Sequence, residues 1–423
     1  MKFQSTRKNC KSTSISSAIL EGLAPDGGLY VPEKFPPHLG NITDESFSTF
    51  AFHALAPFFK GQVIEKQLEE ICAKAFDFPL PLEFFQENAA LLELFHRPTA
   101  AFKDFGARFL AFAMSAIIEA KDQRERTILV ATSGDTGGAV ASAFHKRPGI
   151  KVAILYPEGL VSPRQEKQLT CWGDNIVAFK VAGTFDDCQA LVKEAFNNSQ
   201  LREQFGLTSA NSINLGRVLP QMAYHAFSSS KFKEERNLIP TLIIPTGNLG
   251  NAVGAFWAKR MGSPIANIVL ATNANKALPV YFDSGKYKER KSVATLANAM
   301  DVGAPSNMER LLHLIPSLEE LQKISASYSV SDEEISETIS QFYREQELIL
   351  CPHTAVAMKV WQEHYPTVPS ILSATAHPAK FESIVEPLIG QQIPLPAVLQ
   401  NLIAKNSTAL AIAPHLEELI SKL

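Results

Sequence analysis

Short apolar strands alternate with helices along much of this chain, and this alternation restricts the fold more than any other feature. The predicted strands are residues 127–132, 152–156, 176–181, 242–244, 268–271 and 370–373, and the predicted helices are 139–144, 164–171, 185–196 and 252–261. Strands that are apolar along their whole length are typical of parallel sheets with helices on both faces. The sequence therefore predicts an α/β protein, and two blocks of the pattern predict two lobes with a cleft between them.

The size, charge and composition of the chain argue against several classes of protein. With 423 residues it is too long for one small core. A net charge of −3 gives no electrostatic reason to expect a nucleic acid or a membrane surface as partner. No run approaches the roughly 20 apolar residues that span a bilayer, and no apolar segment follows the charges at the N-terminus. We therefore expect a soluble cytoplasmic protein without a secretory signal.

The cysteines and histidines form no pattern that indicates a metal or a disulfide framework. Five cysteines are scattered without a Cys-x-x-Cys pair, and ten histidines lack the His-Glu-x-x-His spacing. An odd number of scattered cysteines suits a reducing compartment. The sequence predicts no metal site.

The first 80 residues are predicted to form a small domain of their own. A turn at 26–28 leads into a predicted strand at 29–31, and predicted helices at 45–59 and 63–76 end before prolines. Taken alone, this pattern indicates only a small helical cap.

The remaining residues, 81–423, are predicted to form the two-lobed region, with the smaller lobe at about 127–230. The polar stretch 325–334 is interpreted as a connection before a helix. The tail after Gly390 supports no prediction.

Lys103 occupies an unusual position at the start of a predicted helix. The apolar run 89–95 predicts a strand, Pro98 ends it, and apolar residues recur at helical spacing from Phe102 to Ile117. The positive end of a helix disfavours a cation. Two interpretations follow from the residues alone: an ordinary solvated lysine, or an amine whose pKa is lowered by the dipole and its apolar neighbours. Such an amine can form a Schiff base with a carbonyl.

Three further loops carry groups that suit anions. The loop 247–251, Gly-Asn-Leu-Gly-Asn, lies between a strand and a helix, where backbone N–H groups and the helix dipole can bind a phosphate. The hydroxyls and N–H groups of 132–138 suit a small carboxylate, and the Asn, Ser and Arg side chains of 211–217 suit a second phosphate. The alternative interpretations are a plain strand-to-helix turn for the first loop and well-capped helix starts for the others.

These motifs together resemble those of the threonine synthase family. The lysine motif is Leu94-Phe95-His96-x-Pro98-Thr99-x-Ala101-Phe102-Lys103-Asp104-Phe105-Gly106. It departs from bacterial relatives at Arg97, where they usually have Gly, and at Ala100, where they usually have Leu. Residues 5–7 and 20–32 resemble the N-terminal domain of that family, and the resemblance runs from about residue 5 to about residue 390.

The resemblance implies a pyridoxal 5'-phosphate cofactor bound as a Schiff base to Lys103. It implies that Gly247, Asn248, Leu249, Gly250 and Asn251 bind the cofactor phosphate, with Leu249 in place of the usual Phe. Asp135 is expected to face the cofactor ring, and Thr375, in the string 374–381, is expected to face the pyridine nitrogen.

The resemblance also implies two groups of substrate-binding residues. Thr132, Ser133 and Thr136 are expected to bind the substrate carboxylate. The residues expected near the substrate phosphate are Asn211, Ser212, Asn214 and Arg217. Lys167, in the string 162–167, which also matches the family, is a weaker candidate.

The fold and reaction implied by the resemblance are specific. The fold is the two-lobed, parallel-sheet fold of the tryptophan synthase β type, with a small N-terminal domain. The reaction is that of a carbon–oxygen lyase in threonine biosynthesis, converting O-phospho-L-homoserine and water to L-threonine and phosphate in a monomer or homodimer. The long N-terminal extension of plant forms regulated by S-adenosylmethionine is absent, so no such control is expected.

Two alternatives stay open at this point. A β-eliminating relative, such as a threonine dehydratase or a cysteine synthase, would need no second phosphate site, so Asn214 and Arg217 speak against it. A binding protein that has lost turnover would not need Lys103, which is intact.

Overall fold

The computed structural model describes residues 1–36, 46–96, 98–122 and 124–423; Arg97, together with Pro37 and Glu45 of the predicted N-terminal domain, lies outside the described residues. The strands are β1 (Phe3–Ser5), β2 (Tyr30–Pro32), β3 (Leu82–Gln86), β4 (Ala89–Glu93), β5 (Arg126–Ala131), β6 (Ile150–Pro157), β7 (Ile176–Val181), β8 (Leu207–Thr208), β9 (Thr241–Pro245), β10 (Ile268–Thr272), β11 (Ser325–Ser329), β12 (Ser370–Ala374) and β13 (Leu410–Ile412).

The α-helices alternate with these strands along much of the chain. They are α1 (Ile15–Glu21), α2 (Phe47–Phe59), α3 (Leu68–Ala75), α4 (Lys103–Ile117), α5 (Asp135–Phe144), α6 (Pro163–Thr170), α7 (Phe185–Asn197), α8 (Ser199–Gln204), α9 (Leu215–Arg236), α10 (Gly250–Arg260), α11 (Ala277–Ser284), α12 (Met308–Leu314), α13 (Leu318–Gln322), α14 (Asp332–Gln346), α15 (Pro352–His364), α16 (Glu382–Ile389), α17 (Ala397–Ile403) and α18 (Leu416–Ser421). Among the described residues, no helix is both long enough and apolar enough to cross a bilayer.

Two parallel sheets organise the chain, as the alternation of strands and helices predicts. The larger sheet has the strand order β11-β10-β9-β12-β4-β3, in which only the edge pair β3–β4 is antiparallel. The smaller sheet has the order β13-β7-β6-β5-β8 and is parallel throughout. The first two strands pair with each other as a separate antiparallel ribbon.

Successive residues of one strand pack into different hydrophobic cores, because side chains alternate between the two faces of a sheet. In β9, Leu242 and Ile244 join the largest buried cluster, with helices α2, α4, α9 and α10, while Ile243 faces a second cluster with α14 and α15. In β5, Leu129 faces a third cluster with α7 and α18. The two-sided burial is the reason that these strands are apolar along their whole length.

Helix α9 forms the centre of the structure. The Asn214 side chain caps its start by accepting from the Gly216 N–H, and Asn237 ends it in the left-handed conformation with φ 55°. Sixteen of its 22 residues are buried. It packs against α4 and α10, and Gly254 allows the second contact, because a Cβ there would lie 2.9 Å from the backbone carbon of Gln221. This packing fixes the starts of α4 and α10, where Lys103 and the loop 247–251 lie.

The structure corrects several sequence predictions. Residues 325–329 are not a connection: they form edge strand β11, whose Ser325 and Ser327 hydroxyls donate to carbonyl oxygens of β10. A polar strand is tolerated there because an edge is only half covered. The tail after Gly390 adds β13 to the smaller sheet. Helix α5 begins at Asp135 rather than at residue 139, so the glycines that suggested a loop lie inside the helix. Gly137 is there because of packing: a Cβ at this position would lie 2.5 Å from Thr132 Cγ2.

Candidate active site

The carboxyl ends of parallel strands from both sheets meet at a pocket of about 780 Å³. Its walls come from the starts of α4, α5, α9 and α10 and from residues 299–300, His353 and Thr375. This position is expected for an α/β protein, because the strand ends and the N-termini of the following helices converge there.

Lys103 is the first residue of α4, and its side chain reaches the pocket with 14% of its surface exposed. Its Nζ lies 3.5 Å from Asp135 Oδ2 and 5.0 Å from the centre of the Phe102 ring. Burial lowers the pKa of Lys103, Asp135 opposes the shift, and the nearby cations Lys380 and Arg217 add to it. The amine is therefore easier to deprotonate than an ordinary lysine, as its position in the sequence predicts.

Asp135 lies between two lysines. Its Oδ1 is 2.7 Å from Lys380 Nζ and accepts from Gln165 Nε2 at 3.1 Å, while Oδ2 faces Lys103. Burial alone would raise the pKa of this carboxyl, but Lys380 and Lys103 outweigh it and hold the pKa well below the ordinary range. The carboxylate is thus ionised at neutral pH.

The loop 247–251 forms one wall of the pocket. Leu249 has a left-handed backbone with φ 62° and precedes α10, whose start no described side chain caps. Gly247 is needed where the loop passes Met300, because a Cβ would lie 2.9 Å from the Met300 Cα. The Asn248 carbonyl is held by Asn307 Nδ2 at 3.1 Å. Because no described side chain caps α10, its first N–H groups are left for an anion.

The side chain of Asn251 is oriented by two buried neighbours. Tyr224 donates its hydroxyl to Asn251 Oδ1 at 2.7 Å, and His225 Nε2 lies 2.7 Å from the same oxygen. Burial lowers the pKa of His225 to about 4, so the ring is neutral and donates from Nε2. Asn251 Nδ2 then has no hydrogen-bond partner among the described residues, and the residue lines the pocket.

Arg217 and Ser212 lie at the pocket wall near the start of α9. The guanidinium donates to the Ala210 carbonyl at 2.6 Å and to the Lys103 carbonyl at 3.4 Å, and its Nε has no partner among the described residues. Burial lowers the pKa of Arg217 to about 10. This buried cation retains donor capacity and still lacks a carboxylate in contact with it among those residues.

Other residues singled out by sequence do not line the pocket. Thr132 Oγ1 accepts from the N–H groups of Gly134 and Gly137, and Asn214 Nδ2 donates to the carbonyls of Ile19 and Ser209. Their side chains build the loops and leave the pocket to neighbouring residues. Residues outside the pocket lining that were also expected to contact substrate or were weaker candidates are Ser133, Asn211 and Lys167.

Thr375 follows strand β12 and lies in the pocket wall, where it is 5% exposed. Its carbonyl accepts from the Phe102 N–H at 2.8 Å, which ties the end of β12 to the start of α4. His353 lies at the same pocket, and burial lowers its pKa to about 3. The sequence singled out Thr375 but not His353.

Sequence reasoning missed the residues that surround Asp135. Lys380 and Gln165 belong to strings that were noted, but a lysine or glutamine on a short polar stretch looks solvated until its burial is known. Residue type alone does not distinguish them from solvated side chains. The signal that could have found them is the presence of polar residues directly after an apolar strand or at a capped helix start, where polar side chains face the same sheet edge.

Comparisons with known proteins identify the family. The profile described as "Pyridoxal-phosphate dependent enzyme" matches residues 85–366, "Threonine synthase N terminus" matches 2–76, and "Threonine synthase, C-terminal" matches 354–421. A threonine synthase from Haemophilus influenzae is 40% identical over 92% of this chain and 91% of its own. The chain belongs to the threonine synthase family of pyridoxal-phosphate-dependent enzymes.

Solved structures of that family agree in fold over the whole chain. The threonine synthase from Escherichia coli superposes with a TM-score of 0.92 at 34% identity, covering 100% of this chain and 99% of its own. The structure described as pyridoxal-phosphate-bound threonine synthase from Brucella melitensis gives a TM-score of 0.94 at 33% identity, covering 100% and 98%. The predicted fold class, two parallel-sheet lobes with an N-terminal element, is confirmed.

The residues of this pocket fit pyridoxal phosphate. Its aldehyde requires a primary amine of lowered pKa, and Lys103 supplies one. Its phosphate requires N–H donors without partners, which the start of α10 and Asn251 Nδ2 provide. Its ring nitrogen requires a hydrogen-bonding group, and Thr375 lies on the same pocket.

Proposed function

We propose that the protein is a threonine synthase that converts O-phospho-L-homoserine and water to L-threonine and phosphate. The observation that carries the proposal is that the pocket of Lys103 is lined at one position by the uncapped start of α10 with Asn251 and at a second by the buried cation Arg217. The first position suits the phosphate of the cofactor, and the second suits the phosphate of a substrate.

The chain's own residues would bind, orient and move protons. Bound pyridoxal phosphate supplies an electron sink for charge at the substrate's α-carbon. Lys103 would hold the cofactor covalently and, once displaced by the substrate amine, would take and return protons with its Nζ. Asp135, ionised and 3.5 Å away, would orient that nitrogen. Arg217 would hold the phosphate group until it leaves the γ-carbon.

The start of α5 would bind the substrate carboxylate. Thr136 lies in the pocket wall within the first turn of this helix, where unpaired N–H groups favour an anion. Thr132 would act indirectly, because its hydroxyl already accepts from the N–H groups of Gly134 and Gly137 and thereby shapes the loop.

The β-eliminating alternatives give no reason for Arg217. A buried guanidinium without a carboxylate in contact is unfavourable on its own, because desolvation of the charge is only partly offset by two carbonyl oxygens and by the more distant Asp104. A phosphorylated substrate would offset it. A substrate such as serine or O-acetylserine would not.

The test is a comparison of substrates with the purified, cofactor-loaded protein. O-phospho-L-homoserine should give threonine and phosphate in equal amounts, and serine and O-acetylserine should react far more slowly. Faster conversion of serine or O-acetylserine would identify a β-eliminating enzyme instead. No turnover of any of the three by protein that retains the cofactor would support a binding protein.

Thr375 provides a prediction about the side reactions of the enzyme. A hydroxyl can donate to the ring nitrogen without protonating it, whereas a carboxylate would favour the protonated ring, which withdraws electrons more strongly. Thr375→Ser should therefore be nearly silent, and Thr375→Asp should keep its cofactor but form more keto acid relative to threonine. The measurement is the ratio of the two products in fully loaded variants. Equal ratios for the two variants would place Thr375 away from the ring nitrogen.

The proposal extends to the organisation and setting of the protein. Residues 1–80 would form the N-terminal domain and 81–423 the catalytic region, with the smaller lobe at about 127–230 extended by β13 from the tail. We propose a cytoplasmic monomer or homodimer. Sedimentation of the purified protein would separate the two states.

A further inference from the structure

Lys380 is a second buried lysine beside the pocket, and the proposed reaction does not use it. Its side chain is 1% exposed. Its Nζ lies 2.7 Å from Asp135 Oδ1 and donates at 2.7 Å to the carbonyl oxygen of Thr99. A buried ammonium group is tolerated only where an anion and hydrogen bonds offset its desolvation. Lys380 has both.

Lys380 connects the two sheets at the reacting lysine. It follows strand β12 of the larger sheet, whereas Asp135 begins α5 of the smaller sheet. Because Lys380 and Gln165 occupy Oδ1 of Asp135, the carboxylate cannot rotate freely, and Oδ2 stays directed at Lys103 Nζ. The orientation of Asp135 therefore depends on a residue from the segment that follows a strand of the larger sheet.

The segment that carries Lys380 is itself held in place by α6. Arg164 donates from Nη1 to the Ala379 carbonyl, and its Nε lies 3.1 Å from Glu382 Oε1. Gln168 Nε2 donates at 3.4 Å to the Thr99 carbonyl that also accepts from Lys380. Contacts on both sides of Lys380 thus fix its ammonium group.

We propose that Lys380 is a positioning residue that holds Asp135 through Oδ1, leaves only Oδ2 directed at the nitrogen of Lys103, and shares the carboxylate's charge between the two lysines, so that it limits how strongly Asp135 stabilises a positive charge on that nitrogen. The inference rests on the proposed attachment of pyridoxal phosphate to Lys103. It concerns the resting protein, before any substrate binds.

The charged groups around Lys103 determine the sign of the expected effects. Lys380 and Arg217 lower the pKa of Lys103, and Asp135 raises it more than Lys380 lowers it. His353 also faces Asp135 and both lysines, but burial lowers its pKa to about 3, so it is neutral.

Asp104 is the remaining carboxyl near these groups. Burial raises its pKa to about 6, hydrogen bonds from Thr99 oppose the shift, and Lys380 and Arg108 lower it. Its carboxylate accepts hydrogen bonds from the Thr99 N–H at 2.9 Å and from the Thr99 hydroxyl at 2.8 Å.

Removing the charge of Lys380 takes a like charge from Lys103 and leaves Asp135 to pair with Lys103 alone. Both changes raise the pKa of the Lys103 nitrogen.

The experiment measures the cofactor absorption of the holoenzyme between roughly pH 6 and pH 10, where the ratio of two bands reports protonation of the nitrogen that Lys103 contributes. Lys380→Gln keeps a donor but removes the charge, and we expect the midpoint to move upward by about one pH unit, which is a tenfold change in the ratio of protonated to unprotonated form at fixed pH. Asp135→Asn should move the midpoint in the opposite direction, because Lys103 loses its counter-ion.

Two further variants separate charge from structure. Lys380→Arg keeps the charge and should restore a midpoint close to that of the parent protein. Lys259→Gln is the control: like Lys380, Lys259 donates to backbone carbonyl oxygens, here two at 2.6 and 2.9 Å, but it lies outside the pocket lining. It should leave the midpoint unchanged.

Opposite shifts in Lys380→Gln and Asp135→Asn support the proposal. Shifts of the same sign, a shift in only one of them, or none in either would overturn it. If Lys380→Gln does not fold, Asp135→Asn and Lys380→Arg decide: the first must lower the midpoint and the second must preserve it. The absorption is read without turnover, so a protein that fails to make threonine can still pass or fail this test.

Discussion

Replacing Lys103 by alanine is expected to abolish both the covalent attachment of the cofactor and the formation of threonine. The variant loses the amine that would bond to the cofactor and the group that would move protons during turnover. Proton transfer by a positioned side chain alone contributes on the order of 10²–10⁴ in rate, so the loss should reach at least about a thousandfold. The direct measurement is borohydride reduction followed by peptide mapping, which should find the cofactor on residue 103 of the parent protein.

The fold should survive this substitution. Asp135 keeps Lys380 at 2.7 Å and Gln165 at 3.1 Å, so no buried carboxylate is left without a partner. Lys193→Ala, on the exposed face of α7, serves as a control and should retain the reducible adduct. A reduced adduct at another lysine of the Lys103→Ala variant would show that the cofactor is attached elsewhere.

Much of the fold could be predicted because its signals are local. The apolar strands β5, β6, β7, β9, β10 and β12 are found within one or two residues of their predicted ends. Such runs are apolar because both faces of the sheet are covered. The predictions failed where tertiary structure overrides local pattern: polar β11 is a strand only because β10 lies beside it, and β13 only because β7 does.

The candidate site could be predicted in its loops but not in its contacts. Lys103, Asp135, Arg217 and Thr375 lie on one pocket, as the order of the motifs implies. Asn214 was equally plausible as a ligand, but its side chain is used by the backbone around it, because a short amide at a helix start readily caps that helix. Lys380 shows the opposite case, in which a residue without a local signal becomes central through long-range burial.

Arg217→Ala is expected to lower kcat/KM for O-phospho-L-homoserine by a factor that corresponds to a loss of roughly 2–4 kcal/mol of transition-state stabilisation. The cofactor content should stay unchanged. The physical reason is that a phosphate group would lose a charge-assisted partner in a buried pocket, where such a bond is strongest. Arg217 lines the pocket, so its positive charge acts on a phosphate group bound there. The cofactor phosphate should be unaffected, because its proposed donors belong to the start of α10 and to Asn251.

The design of this experiment separates recognition from structure. Inorganic phosphate, as the product, should inhibit the parent protein by competing with substrate, and the variant should lose affinity for it by a similar factor. Arg217→Lys keeps a charge but not the forked donors, so its loss should be smaller than that of alanine. Equal loss of cofactor and activity in Arg217→Ala would mean that the two phosphate positions are not separate. An unchanged kcat/KM would remove Arg217 from the substrate site.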